Sequence, residues 1–408
     1  MLHAPFQLNL RHLQAMLAVR EHGSVSAAAQ RIGLSQPALT QAILKLEEQF
    51  GHALFERRAD GMLVTPVGDQ VAERVDAALG HLTSGAKTLA NGAVRPERRM
   101  TLTQLRAFLA LADSGSFAAA ATATGMSRTA AHRAVGDLEE AAGETLIDRR
   151  GRGVNLNSSG RRLARGTRLA VAELAAILVE LGLHPEGALI SLGVTPTARA
   201  LVVPEAMARM ATETDSAAFR VYEGNWSELV EPLRDGVIDL IVGEVPNYEI
   251  SDLAQKPLYE DRLIVVGSSR HPLATRENAS LHELAAYPWI VGLPNSPVRN
   301  AWEELFAGRA LPRAPIECGS VMINGRLLTS CDFLTLLNPD QAALPIRSGL
   351  LAQIGAPLAH ATSTIGLTVR RSWRPTKVQQ RFLSVLQEVS SHDDSYTSRR
   401  ERLVADWN

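Results

Sequence analysis

The stretch GSVSAAAQRIGLSQPALTQAILKLEEQFGHALFERR, residues 23–58, decides the fold of the N-terminal part of the chain. An alanine-rich segment ends at Gly33, and Ser35 then offers an N-cap to a further helix. Pro37 falls in the first turn of that helix, where its missing N–H costs nothing. Because small alanines let helices cross closely over a short glycine turn, the stretch predicts a helix-turn-helix. The helix after Ser35 is then the recognition helix.

A small β-hairpin is predicted after the recognition helix. Leu54–Arg58 and Leu63–Thr65 read as two strands, and Ala59-Asp60-Gly61 reads as the turn between them. Arg57 and Arg58 at the tip could reach phosphates or a minor groove. The alternative is an exposed basic turn with no partner.

The same order of elements occurs twice. The segment from Leu10 aligns without a gap on the segment from Leu102, at a constant offset of about 92 residues and with roughly 23 of 59 positions identical. Chance similarity between alanine-rich helices would not keep register through two glycine turns and a basic pair. The first half is therefore predicted to hold a duplicated domain. Each copy precedes a long helix, residues 68–90 and 160–182, and the basic start of the second helix could lie near nucleic acid.

The second half changes to short apolar runs that alternate with helices. The runs predicted as strands are Leu189–Val194, Val221–Tyr222, Ile238–Val242, Leu263–Val266, Trp289–Val291 and Ile365–Val369. Strands separated by helical segments indicate an α/β fold with covered sheets. Such sheets bind ligands beyond the carboxyl ends of their strands.

The composition is that of an ordinary globular protein. The chain has 408 residues, 46% hydrophobic and 21% charged, with a formal net charge of −1, which favours several domains and excludes a disordered or collagenous chain. Residues 1–184 carry about +4 and the remainder about −5, as expected of a first half that faces nucleic acid. Two cysteines are too few for a disulfide framework. No signal peptide or long apolar run is evident, which predicts a cytoplasmic protein with no membrane partner.

The sequence lacks the motifs typical of an enzyme. It contains no G-x-S-x-G, no glycine-rich phosphate loop and no metal-spaced cluster, and its 11 histidines are scattered. We therefore predict no enzyme activity, catalytic residues, metal or cofactor. Two other functions stay open: a binding module of transport type, suggested by the second half alone, and an architectural DNA-binding protein without effector sensing.

These residues resemble the LysR-type transcriptional regulators of bacteria. Residues 23–58 match that family's winged helix-turn-helix nearly position by position, and residues 187–390 resemble its effector-binding domain. The resemblance implies a homodimeric or homotetrameric regulator that binds double-stranded promoter DNA and a small metabolite, with RNA polymerase as a further partner. The second winged helix-turn-helix departs from the family pattern, because the usual member has one.

The predicted fold class is multidomain. It comprises two tandem, mainly α winged helix-turn-helix domains and a C-terminal α/β domain of two subdomains, similar to periplasmic binding proteins. The predicted boundaries are residues 6–68 and 100–160 for the winged domains, 69–99 for a linker helix and linker, 161–184 for a second linker helix, 187–390 for the effector domain and 391–408 for a polar tail. The two linker helices could pair within one chain or between chains.

The resemblance also assigns DNA contacts in both copies. They are Ser35, Gln36, Pro37, Thr40, Gln41, Arg57 and Arg58 in the first, and Ser127, Arg128, Thr129, His132, Arg133, Arg149 and Arg150 in the second. Because Gln pairs with adenine and Arg with guanine, we expect the copies to read different sequences. Gly136 and Asp137 replace Leu44 and Lys45 in the second copy, for which a dimerisation or spacer module is the alternative.

Two loops of the second half fit a small anion such as a carboxylate. Thr195-Pro196-Thr197 and Leu293–Pro297 each follow a predicted strand, and each is expected to open a helix whose positive dipole end faces a ligand cleft. Simple N-capping is the alternative role of their hydroxyls. The effector-binding residues implied by the resemblance are Thr195, Thr197, Gly243, Val245, Ser296, Met322 and Ile323.

Overall fold

The computed structural model describes most of the chain. The described residues are 5–59, 61–86, 99–148, 153–183, 187–200, 202–214, 217–246, 248–276, 278–358 and 361–391. Arg149, Arg150, the linker at 87–98 and the predicted tail beyond residue 391 lie outside these ranges.

The first unit, which we call head 1, is a three-helix bundle with a two-stranded wing. Its elements are α1 (Leu10–His22), α2 (Val25–Ile32), α3 (Gln36–Phe50), β1 (Phe55–Arg58) and β2 (Gly61–Val64). Ser24 and Ser35 accept backbone hydrogen bonds as N-caps, and Gly23 and Gly33 end helices with positive φ. The elements predicted from residues 23–58 are therefore present.

Head 2 repeats this arrangement. It consists of α5 (Leu102–Ser114), α6 (Phe117–Thr124), α7 (Arg128–Ala142), β3 (Ile147–Asp148) and β4 (Asn155–Leu156). Helix α7 runs through Gly136, so the cost of about 0.5–1 kcal/mol for a mid-helix glycine is offset by the surrounding fold.

Equivalent contacts hold the wing in both heads. Glu47 Oε1 accepts hydrogen bonds from the backbone N–H groups of Leu54, at 2.8 Å, and of Phe55. Glu139 Oε1 does the same for Leu146, at 2.7 Å, and for Ile147. The scaffolds therefore agree in tertiary contacts as well as in the order of elements.

Two long helices join the heads. They are α4 (Pro66–Ala86) and α8 (Ser158–Glu180), and they pack antiparallel within one chain, in what we call the helix pair. At their closest approach, a Cβ on Gly166 would lie 2.5 Å from the carbonyl oxygen of His81 and 3.0 Å from Gly85 Cα. Buried side chains of both heads and both long helices form one continuous core. This structure of one chain shows pairing within the chain, which is one of the two arrangements that the sequence left open.

The remaining elements form an α/β domain. In chain order they are β5 (Ala188–Val194), α9 (Val202–Glu213), β6 (Ala217–Glu223), α10 (Trp226–Arg234), β7 (Leu240–Glu244), β8 (Leu253–Arg262), β9 (Ile264–Ser268), α11 (Leu281–Ala285), β10 (Ile290–Val291), α12 (Pro297–Leu305), β11 (Ile316–Glu317), α13 (Val321–Leu328), β12 (Thr335–Leu337), α14 (Pro339–Arg347), β13 (Leu351–Ile354), β14 (Thr362–Arg370) and α15 (Lys377–Ser391).

The strands form two groups with separate cores. The first lobe is the five-stranded sheet β6-β5-β7-β14-β8 with α9, α10 and α15, and the second lobe holds β9–β13 with α11–α14. The chain crosses between the lobes at Leu263 and returns before β14, where the Leu263 N–H donates to the Ala361 carbonyl at 3.1 Å. The two crossings therefore lie side by side. Among the described residues, none of the helices combines the length and apolar character that a membrane span needs.

The sequence patterns predicted too few strands in this domain. Strands β8, β11, β12 and β13 were not predicted. The longest of them, β8, has the sequence LAQKPLYEDR, and most of its side chains are partly or fully exposed. Its polar residues give no apolar run, so its pairing with β14 comes from tertiary contacts.

Candidate nucleic-acid interface and ligand site

Helix α3 presents a polar face to solvent. Ser35, Gln36, Pro37 and Gln41 are exposed, and Thr40 is half-buried with its hydroxyl bonded to the Gln36 carbonyl at 3.0 Å. The opposite face, which includes Leu39, Ile43 and Leu46, packs in the core. The predicted base-reading side chains therefore share the outward face of one helix.

The same face carries two residues that were not among the predicted contacts. Leu44 is 53% exposed and Lys45 is exposed, one turn beyond Gln41. An apolar side chain there could contact a thymine methyl group, and a lysine could reach a phosphate. The available signal was their helical spacing from Gln41.

Helix α7 presents a more basic face. Ser127 caps the helix through a hydrogen bond from Ala130 N at 3.1 Å, and Arg128, Thr129 and Arg133 are exposed. The His132 ring stacks on Phe117 with centroids 3.6 Å apart. This stacking fixes the His132 ring against α6.

The first wing leaves its arginines in solvent. Arg57 and Arg58 lie at the end of β1, and both side chains are exposed. Arg58 Nη2 is 3.6 Å from Glu56 Oε2. An exposed pair of this kind is worth about 0–1 kcal/mol, so it does not prevent Arg58 from contacting a phosphate.

The basic start of α8 is occupied by protein contacts. Arg165 pairs with Asp235 at 2.6 Å and with Glu231 at 3.0 Å, and Arg168 pairs with Asp113. These contacts join α8 to the first lobe and to head 2. The sequence suggested that this end could lie near nucleic acid, but for Arg165 and Arg168 the protein itself supplies the anions.

In the first lobe, the predicted ligand loop follows β5. Thr195 is 1% exposed and Thr197 is also buried, and their hydroxyl oxygens lie 2.9 Å apart in a hydrogen bond. Gly243 lies directly behind the loop, since a Cβ there would fall 2.3 Å from Thr195 Oγ1. The loop does not open a helix as expected, because turns occupy residues 196–200 and α9 begins at Val202.

A contact between the lobes closes over this loop. Gln341, in the first turn of α14, donates from Nε2 to the Pro196 carbonyl at 2.7 Å. Beside it, Asn338 donates to Asp261 of β8 at 2.7 Å, while the buried Asn338 Oδ1 has no partner among the described groups. Sequence reasoning missed this set, because only tertiary structure brings the start of α14 to the first lobe.

The other predicted effector residues are more widely distributed. Ser296 caps α12 by accepting from Arg299 N at 3.2 Å, as expected for a helix start. Met322, 87% exposed, and Ile323, 55% exposed, lie at the start of α13 in the second lobe. Val245 follows β7, with its N–H bonded to the Thr364 carbonyl at 2.9 Å. Direct contact thus unites Thr195, Thr197 and Gly243, whereas Ser296, Met322 and Ile323 belong to the other lobe.

Arg74 links the heads to the first lobe. Its buried guanidinium bonds to Glu173 at 2.9 Å and Glu180 at 2.7 Å on α8, and to the Arg374 carbonyl at 2.7 Å beyond β14. Burial opposes the charge on Arg74, but the hydrogen bonds to both glutamates outweigh it and raise the pKa of the guanidinium. Arg74 is therefore a charged clamp between α4, α8 and the effector domain.

Comparison with family models places the chain in a family. The model for the LysR substrate binding domain matches residues 184–391, and the model for the bacterial regulatory helix-turn-helix protein of the lysR family matches residues 10–69 and 102–161. Together these matches define a DNA-binding regulator with an effector-binding domain. The chain belongs to the LysR family of transcriptional regulators.

Individual relatives agree with this assignment. The transcriptional regulator GalR of Pseudomonas putida is 27% identical over 387 residues, which cover 93% of this chain and 97% of that protein. The SDS degradation transcriptional activation protein of a Pseudomonas strain is 32% identical over 287 residues, covering 66% of this chain and 90% of that protein. Full-length OxyR from Pseudomonas aeruginosa superimposes with a TM-score of 0.55 at 19% identity, over 71% of this chain and 94% of that chain, and so shares the fold.

Proposed function

We propose that this regulator contacts promoter DNA with both heads and is a tandem winged helix-turn-helix protein. The observation that carries the proposal is the repeated geometry: two equivalent scaffolds, each with an exposed polar face on the helix that follows Ser35 or Ser127. Polar side chains on such a helix are what major-groove readout needs.

The length of the GalR alignment supports head 2 as a part of the chain that this relative also matches. Each helix-turn-helix match spans 60 residues, 10–69 and 102–161, of the 408 in the chain. The GalR alignment covers 93% of the chain, which supports an alignment that extends across both matches. In contrast, the alignment with the SDS degradation activator covers 66% of the chain, although it includes 90% of that protein.

The test is DNA affinity across a salt series, with the duplex upstream of the protein's own gene as the probe. We compare wild type with Arg57→Ala/Arg58→Ala and with Arg149→Ala/Arg150→Ala. If both heads grip phosphates, each double variant weakens binding and lowers the salt slope by about one to two. The control, Arg270→Ala/Arg276→Ala on the second lobe, should leave the slope unchanged. An effect of the first pair alone would make head 2 a spacer or partner-binding domain.

We further propose that the effector is a small anion, such as a carboxylate, bound between the lobes. Paired hydroxyls at Thr195 and Thr197 and the N-terminus of α12 at Ser296 offer hydrogen-bond donors to an anion. Gly243, Val245, Met322 and Ile323 would supply backbone and apolar walls.

The mechanism we propose couples lobe closure to the heads. The contact between Gln341 and Pro196 joins the lobes, while Arg74 and Arg165 join the first lobe to the helix pair. A ligand that binds one lobe arrangement more tightly would shift these contacts and so change the angle or spacing of the heads. A homodimeric or homotetrameric assembly would combine several such chains, and RNA polymerase is the partner that a change in DNA geometry would affect.

A panel of organic acids tests the effector proposal. We expect at least one carboxylate to raise the melting temperature of wild type and to change its DNA affinity or footprint. Thr195→Val and Ser296→Ala should weaken that response, whereas Thr212→Val, a hydroxyl deletion on the exposed side of α9, should not. If every acid leaves melting, affinity and footprint unchanged, the protein is an architectural DNA-binding protein instead.

A further inference from the structure

The contacts within the helix pair are asymmetric. Helices α4 and α8 place different residues at equivalent positions, and two identical helices could not make the same contacts. At the offset of about 92 residues that relates the heads, Arg74 of α4 corresponds to Gly166 of α8, and Gly85 corresponds to Ile177. One region of the pair therefore holds the close approach of Gly85 and Gly166. The pseudo-symmetric region holds Arg74, bonded to Glu173 and Glu180.

Pairing two copies of α4 would lose both features. Gly85 would then face the bulky Arg74 of the other copy instead of Gly166. Arg74 would face His81, which corresponds to Glu173, and would lose that carboxylate. A buried guanidinium without its partners is strongly unfavourable.

Pairing two copies of α8 fails for the complementary reason. Gly166 would face Ile177, and Glu173 would face Gly166, so its carboxylate would have no cation there. The residues at these positions favour α4 with α8 over either pair of like helices.

The pair also separates the two wings. Helix α4 has 21 residues and α8 has 23, and each begins directly after its own wing. Because the helices are antiparallel, the two wings join the pair at opposite ends, and the helices are roughly 30–35 Å long at 1.5 Å per residue. One turn of DNA is about 34–36 Å, the usual spacing between half-sites.

The two recognition faces differ at equivalent positions. Gln36 and Gln41 of head 1 correspond to Arg128 and Arg133 of head 2, and all four side chains are exposed. Glutamine suits adenine, and arginine suits guanine.

We propose that one chain carries its own head dimer and reads one asymmetric operator, with an adenine-containing half-site under head 1 and a guanine-containing half-site under head 2. This inference rests on the proposed DNA binding by both heads. It adds that the two halves of the operator are unlike and that the DNA-reading unit is a single chain.

Selection of duplexes from a random library by the full-length protein tests the operator. Wild type should enrich a site with two unlike halves about one turn apart. Gln36→Ala/Gln41→Ala should lose base discrimination roughly tenfold or more at one half, and Arg128→Ala/Arg133→Ala at the other. Glu48→Ala, on the exposed side of α3, is the control and should retain both preferences.

The other outcomes of this selection distinguish failure of the asymmetric operator from failure of the proposed DNA binding. Identical halves, or variants that alter both halves together, would overturn the asymmetric operator. A preference at one half alone would also overturn it, while leaving DNA binding by head 1 intact. If no duplex is enriched, the proposed function fails, and this inference fails with it.

Crosslinking tests the single-chain unit. Gln70 of α4 and Leu181 beyond α8 line one small cavity, so Gln70→Cys/Leu181→Cys should be joined by a short bismaleimide in a Cys318→Ser/Cys331→Ser background. We expect a crosslinked species at the 44.0 kDa mass of one chain. Mixing the two single-cysteine variants should give no crosslinked dimer, and a crosslink that forms exclusively between chains would overturn the proposal.

Discussion

Head 1 and head 2 share a scaffold and differ on the surface. The hydrogen bonds from Leu54 and Phe55 to Glu47 recur as those from Leu146 and Ile147 to Glu139, and a serine caps both recognition helices. The exposed face of α3, however, carries glutamines, Leu44 and Lys45, where α7 carries arginines, Gly136 and Asp137.

This comparison separates two kinds of constraint. Wing contacts and caps satisfy backbone N–H groups that the helices and the hairpin leave unpaired, so both copies have them. Exposed positions do not affect folding in this way and can diverge for recognition. The two long helices have diverged further, because each must fit the other and the first lobe.

The largest expected loss of stability comes from removing Arg74, the buried cation that α4 carries and α8 lacks. Arg74→Met leaves the buried Glu173 and its neighbour Glu180 without their cation, and we expect a loss of about 3–5 kcal/mol in urea unfolding. Arg20→Met, which removes a more exposed pair with Asp69, is the control and should cost about 0–1 kcal/mol. Equal losses would mean that Arg74 does not act as a buried clamp.

The close approach in the helix pair gives the next largest effect. In Gly166→Ala, the new methyl group would lie 2.5 Å from the His81 carbonyl, so the backbones must separate, at a cost of about 1–3 kcal/mol. Gly80→Ala, in α4 with nothing within 4 Å of its Cβ, should instead stabilise by about 0.5–1 kcal/mol. Thermal unfolding of both variants checks the contrast, and a stabilising Gly166→Ala would contradict the close packing.

A smaller effect addresses the difference between the recognition helices. Gly136→Ala adds a methyl group that meets nothing within 4 Å and should stabilise α7 by about 0.5–1 kcal/mol. Urea unfolding measures the gain, and DNA binding by head 2 should not weaken. Leu44→Ala, at the equivalent position of α3, should change stability by less than about 0.5 kcal/mol because Leu44 is exposed. Destabilisation by Gly136→Ala would show that this position needs glycine.

The smallest expected effect is a pH dependence at the junction of the helix pair with the first lobe. Burial, together with the positive charges of Arg370 and Arg374, lowers the pKa of His81 below its ordinary 6.5. The unfolded state then binds the proton more readily than the folded state. The stabilisation that neutral His81 allows is therefore complete above pH 6.5 and is lost as the pH falls through the lowered pKa of the folded state.

Unfolding between pH 5 and 8 measures this effect. The decline of wild-type stability below pH 6.5 should be shallower in His81→Gln, although other buried histidines keep part of it. His22→Gln, at the exposed end of α1, is the control and should keep the wild-type decline. An unchanged slope in His81→Gln would show that His81 does not carry this dependence.

Much of the helical framework of the candidate site could be predicted because local patterns encode it. Glycine turns, serine caps and apolar periodicity placed the recognition helix of each head, and with it the exposed Gln36, Gln41, Arg128 and Arg133. Local rules were less informative in the effector domain. There, the Thr195 loop was predicted to open a helix that in fact begins at Val202, and the polar strand β8 was missed.

The sequence by itself determined that the chain has two similar heads, two long helices and an α/β domain. Backbone caps, turns and helical periodicity act over a few residues and so are visible in the printed sequence. Tertiary structure alone decided that Arg74 meets Glu173, that Gly85 meets Gly166 and that Gln341 reaches Pro196. These pairs join distant parts of the chain, and packing and desolvation select them only after the helices and strands are in place.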